Sequence, residues 1–138
     1  MNTMKILVAG LIGGIFAFFA GWLIYGILLK GWMPSGMAAV QRPETEMVWW
    51  AMIASNLLWG IFIAYVFVQW ANISTLQGGA VAGAILGFLI SAAFDTGLYS
   101  MTTLYATADI VKDVAMTTVF TALLGAVVGW WLGRGYVK

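Results

Sequence analysis

The sequence predicts an all-α membrane protein, a compact antiparallel bundle of four transmembrane helices forming one domain over residues 1–138. Three observations carry that expectation. Of 138 residues, 63% are hydrophobic and 8% charged, against roughly 25% charged in an ordinary soluble domain. The apolar residues fall into four long stretches, each near the roughly 20 residues a helix needs to cross a hydrocarbon core about 30 Å thick. Trp and Tyr gather at the ends of these stretches, where the membrane–water interfaces would lie.

The first span reads from residue 6 to 29, bracketed by Lys5 and Lys30 with no charge between them. Its apolar run exceeds the roughly 7–15 residues of a signal-peptide core and lacks a small-x-small cleavage site, so it reads as a true span. Lys30 to Gln41, with Gly31, Pro34 and Gly36 among Trp32, Met33 and Met37, reads as a loop lying in the interface. The second span covers residues 47–70; Pro43 suits a first helical turn, where Glu44 and Glu46 favour the positive end of the helix dipole. The third covers residues 79–104, and Ser74 with Gln77 has the spacing of a capping box before it. The fourth covers residues 110–132, with Asp109 and Asp113 in its opening turn.

Four spans put both termini on one side. Lys5, Arg134 and Lys138 lie there without an acid, while Lys30, Arg42 and Lys112 lie opposite with Glu44, Glu46, Asp109 and Asp113. The basic residues tie at three each, so the positive-inside rule does not choose, and the acid-free end is taken as cytoplasmic in a bacterial inner membrane. Trp32, Trp49, Trp50 and Tyr99 mark one interface, and Trp70, Trp130, Trp131 and Tyr136 the other. Asn72-Ile73-Ser74 matches a glycosylation sequon, read as chance on a cytoplasmic loop.

Composition excludes much chemistry. With Cys 0 and His 0, thiol chemistry, disulfides, Cys/His zinc sites and His-ligated haem are out, and no cofactor is expected. A net charge of +1 leaves no footprint for nucleic acid.

Helices in lipid associate largely through small residues repeated every four positions. The third span carries Gly79, Gly83, Gly87, Ser91 and Asp95 in one row; the fourth carries Asp113, Thr117, Thr121, Gly125, Gly129 and Gly133. In an antiparallel pair the glycine ends and the polar ends coincide, which reads as a packing seam. Gly10 with Gly14 and Ala17 with Gly21 mark the first span.

Asp95 lies about 24 Å along the third span at about 1.5 Å per residue from Gly79, inside the membrane but nearer the loop side. An ionised carboxylate there is costly unless paired, hydrated or protonated. Lys112, the only basic residue at comparable depth on an adjoining span, is its expected partner. Asn56, about 13 Å in from Met47, is close enough to contribute an amide. Two readings stay open: a structural Asp95–Lys112 ion pair, or a polar pocket of Asp95, Asn56, Lys112 and Asp113 for a cation, a proton or a ligand head group. Trp59 beside Gly60 reads as a filler over a glycine notch.

The segments Ala20-Gly21-Trp22-Leu23-Ile24-Tyr25-Gly26, Asn56-Leu57-Leu58-Trp59-Gly60, Gly78 to Phe88 and Gly125 to Gly133 resemble the small bacterial membrane proteins of the domain of unknown function 1761. The resemblance covers nearly the whole chain and implies four spans but no activity. Leu23-Ile24 stand before Tyr25, where that family often has an aromatic pair directly after the glycine, so no ligand role is carried over. The small multidrug transporters are four-span proteins too, but their pattern has a glutamate in the first span, which this chain lacks.

The expected function is a non-enzymatic accessory or structural component of the inner membrane. Its partners would be the lipid bilayer and a second copy, engaged through the glycine rows, or a larger membrane complex. The alternative is a small proton- or cation-coupled transporter or channel acting through Asp95, as a homodimer. Catalysis needs a positioned acid, base, nucleophile or metal; only Asp95, Lys112 and Asp113 could serve, and no base is evident to activate a serine or threonine hydroxyl.

Overall fold

A computed structural model describes residues 3–24 and 44–134. Four helices in it are long and apolar enough to cross a membrane: Thr3–Ile24, Trp49–Ala71, Leu76–Met101 and Thr107–Leu132. They are named α1 to α4 here, and among the described residues there is no strand. Residues 25–29 of the first expected span, and the expected interfacial loop from Lys30 to Gln41, lie outside the described residues.

The helix ends follow local chemistry. Glu44–Glu46 form a separate turn of 3-10 helix, and the extended Val48 stands before α2, whose helix starts at Trp49. The sequence expectation that Glu44 and Glu46 sit in the first turn of this helix is therefore corrected: α2 has no acid in its first turn. The last turns of α2, Val66–Ala71, widen into a π-helix that ends where Asn72 turns left-handed with φ 52°. Asn tolerates that conformation better than most residues. The cap of α3 is Thr75, not Ser74: its hydroxyl accepts from the Gly78 N–H at 2.9 Å, and the helix starts at Leu76. At the start of α4, the Asp109 carboxylate accepts from the Ala106 N–H at 2.8 Å, satisfying a donor that the helix leaves open.

The packing is small inside and large outside. In α1 the buried residues are Ile6, Ala9, Gly10, Gly13, Gly14 and Ala17, while Leu7, Leu11, Ile15 and Phe19 are exposed. The same inversion runs along α3, with Gly79, Gly83 and Gly87 buried and Val81, Ile85 and Phe88 exposed. Bulky apolar side chains facing outward suit acyl chains, and small ones facing inward let backbones touch.

Two antiparallel hairpins result, α1 on α2 and α3 on α4, with the α3–α4 interface the most extensive; α1 on α4 joins them. Gly60 of α2 lies on the α1 backbone, where an added Cβ would meet Gly10, Gly14 and the Gly13 carbonyl carbon. The glycine notch is thus filled by α1 itself and not by Trp59. At the α1–α4 junction Gly13 faces Val128 and Leu124, and Ile63, Phe67, Leu124 and Val128 are fully buried. Between α2 and α3 an open groove is lined by Ser55, Leu58, Trp59, Phe62 and Ile90.

Candidate functional site

The α3–α4 seam positions the site. Over its lower half the two backbones are in direct contact. A Cβ on Gly83 would meet the Thr121 carbonyl carbon at 3.0 Å and the Gly125 Cα at 3.2 Å. One on Gly79 would meet the Gly129 Cα at 3.2 Å, and one on Gly129 the Thr75 carbonyl carbon at 3.1 Å. Gly125 rests on Gly79 and Gly83, and Gly133 on Ser74. The glycines of the two rows thus face each other across the α3–α4 seam.

Above the glycines the same two faces become polar. Gly87 meets Thr121, whose fully buried hydroxyl donates to the Thr117 carbonyl at 2.7 Å. Ser91 is buried and donates to the Gly87 carbonyl at 2.7 Å. Both hydroxyls are satisfied by their own helices, the usual recourse of Ser and Thr in an apolar interface. One turn further along α3, Asp95 is only 2% exposed.

Asp95 does not meet Lys112. Among the described residues no ion pair joins them, and Lys112 is exposed. The reason is angular: Asp113, Thr117 and Thr121 recur at four-residue intervals and share the face turned to α3, whereas Lys112 is one residue, about 100°, away from Asp113. The ionisable group whose charge acts on Asp95 is the carboxyl of Asp113 on the facing helix. The Oδ2 atom of Asp95 is buried without a hydrogen-bond partner. Each acid stands six residues inside the loop-side end of its helix, a matched depth of about 9 Å.

Asn56 is not brought to the pair either. Its amide donates to the Met52 carbonyl on its own helix at 2.9 Å, and its backbone lies against Gly14 of α1. Of the pocket expected from the sequence, the structure joins Asp95 to Asp113 and leaves Asn56 and Lys112 apart. Asp109, one turn above Asp113 and itself buried, adds a third carboxyl toward the loop-side end, held as the α4 cap.

Chemically, an ionised Asp95 buried beside the half-buried carboxyl of Asp113 is costly, and a positive charge shared with it lowers that cost. A proton or a monovalent cation supplies that charge with the fewest ligands. Among the described residues no three acidic side chains converge as a metal-ion cage. The sequence row that placed Asp95 and Asp113 at the polar ends of facing helices was the signal for this pairing.

At the opposite end of the bundle the structure forms a polar cavity from Lys5, Asn72 and Ser74 that no motif in the sequence announced. The signal was topological: an antiparallel hairpin pair brings the start of α1, the α2–α3 connection and the end of α4 together. No known protein family, curated protein or solved structure matches the chain.

Proposed function

We propose that the protein is a small proton- or cation-coupled membrane protein of the bacterial inner membrane, with its ends in the cytoplasm, in which Asp95 and Asp113 hold the ion between α3 and α4. The observation that supports it is the buried Asp95 Oδ2 without a hydrogen-bond partner, with the Asp113 carboxyl acting on it by charge and Lys112 exposed. Intramembrane acids are costly to keep, and an acid left without a structural partner is accounted for by an exchangeable one. Asp109 at the loop-side end of α4 starts the descent, Asp113 and Asp95 receive the ion, and the glycine seam beyond them closes the route toward the other face. Coupling would require the α3–α4 hairpin to shift against α1–α2, and the groove between α2 and α3 gives that movement room. The resemblance to the 1761 family enters this reading only as an architecture.

A second reading keeps the ion site but assigns it to a non-enzymatic accessory protein. Its support is the closure of Asp95 from solvent, which suits a site that sets assembly or stability better than one that passes ions. Flux separates the two. In liposomes loaded with a pH-sensitive dye and holding a sodium or proton gradient, the coupled reading expects wild-type flux that Asp95→Asn and Asp113→Asn each abolish. Wild-type vesicles as tight as protein-free ones would overturn coupling and leave the accessory reading.

A further inference from the structure

The terminal end of the bundle carries a second site. A cavity of about 250 Å³ is lined by Lys5 from α1, Phe67 and Val68 from the end of α2, Asn72 and Ser74 from the α2–α3 connection, and Leu132 from α4. Its lining combines an ammonium, an amide and a hydroxyl with apolar side chains. Among the described residues, every acid lies at the loop end, so no carboxylate stands beside Lys5. Arg134, the other described base at this end, is engaged elsewhere, with its guanidinium 4.9 Å from the Trp130 ring centre and 5.6 Å from that of Trp131. The side chains of Asn72 and Ser74 make no hydrogen bond among the described residues. The connection that presents them is fixed, because the left-handed Asn72 caps α2 and the Ile73 N–H donates to the Phe67 carbonyl at 3.1 Å. The positive end of α3 starts at Leu76, two residues beyond Ser74.

We propose that this cavity binds a phosphate-bearing anion at the membrane surface, the head group of an anionic phospholipid. Lys5 supplies the charge, Asn72 and Ser74 supply donors to the phosphate oxygens, and the half-buried Val68 and Ile73 border the start of the acyl region. A basic pocket between helices at the depth of the head groups is the arrangement that recognises such lipids. A free phosphate would satisfy the same polar groups but gain nothing from the apolar wall. This site is at the opposite end of the helices from Asp95 and stands or falls independently of it.

The test uses the full chain in a neutral detergent, with native mass spectrometry against phosphatidylglycerol and phosphatidylcholine and a separate titration with inorganic phosphate. The expected preference for phosphatidylglycerol is about fivefold, the factor one basic side chain supplies at an anionic surface. Lys5→Gln should bring that preference to unity, Lys5→Arg should retain it, and Arg134→Gln should leave it nearly unchanged. Inorganic phosphate that binds wild type and not Lys5→Gln would support the anion site and assign it to a free anion. A Lys5→Gln protein that folds, by its helical circular dichroism, and still prefers phosphatidylglycerol overturns the proposal; so does wild type with no preference between the lipids and no phosphate binding.

Discussion

Alanine at Gly83 should destabilise the protein, whereas alanine at Gly97, fourteen residues along the same helix, should not. The contrast follows from what each new methyl meets. At Gly83 it would press on the Thr121 carbonyl and the Gly125 Cα, all backbone, so no side chain can rotate away. The two helices must separate, and a gap of about 0.5–1 Å forfeits a quarter to a half of each dispersion contact along the seam. Overpacking of this kind costs about 1–3 kcal/mol. At Gly97 the added Cβ has nothing within 4 Å. Both variants gain the helix propensity of alanine over glycine, about 1 kcal/mol, which cancels when they are compared. Gly83→Ala is therefore expected to be about 1–3 kcal/mol less stable than Gly97→Ala. Reversible unfolding in mixed detergent micelles, followed by tryptophan fluorescence, measures the difference. Equal stability, or a more stable Gly83→Ala, would refute the claim that backbone contact along α3–α4 holds the hairpin.

Three further outcomes are expected. In a double-mutant cycle, Asp95→Asn and Lys112→Met should show a coupling below about 0.5 kcal/mol in unfolding free energy, because the two side chains share no contact; a coupling of 1 kcal/mol or more at about that threshold would restore the ion pair. Thr75→Ala should lower stability by about 1 kcal/mol through loss of the α3 cap, checked by the same unfolding measurement, with no loss meaning that the cap is redundant. Single cysteines at Thr3 and Ser74 should react with a membrane-impermeant reagent from the same face and one at Thr103 from the other; matching labelling of Ser74 and Thr103 would contradict the α3 crossing.

Much of this architecture was legible in the residues because lipid imposes a simple rule. Apolar stretches of spanning length must be helices whose backbones satisfy themselves, and four such stretches could be counted directly. The faces were legible too: a four-residue repeat from Gly79 to Asp95 defines one side of α3 whatever its neighbours are. Less was recoverable about partners across helices. Lys112 was chosen for Asp95 by charge and depth, but helical rotation decides contact, and one residue's displacement from Asp113 turns the lysine away from the seam. Asn56 failed for a different reason, since nothing local to α2 says which neighbour it packs on, and Gly60 and Gly14 commit it to α1. Helix starts shifted where a competing cap was better placed, as Thr75 is relative to Ser74. The Lys5 cavity arises only when three separate chain segments converge, which no local pattern records.

The central claim is that Asp95 and Asp113 hold an exchangeable positive charge between them, and the dependence of stability on that charge tests it most directly. The measurement is the thermal unfolding midpoint of wild type, Asp95→Asn and Asp113→Asn in detergent, at constant ionic strength in lithium, sodium, potassium or choline, each across a pH series. The account predicts a wild-type midpoint that depends on pH or on the identity of the small cation, and a response that both single variants lose. Wild type and both variants responding alike in every cation and at every pH would contradict it.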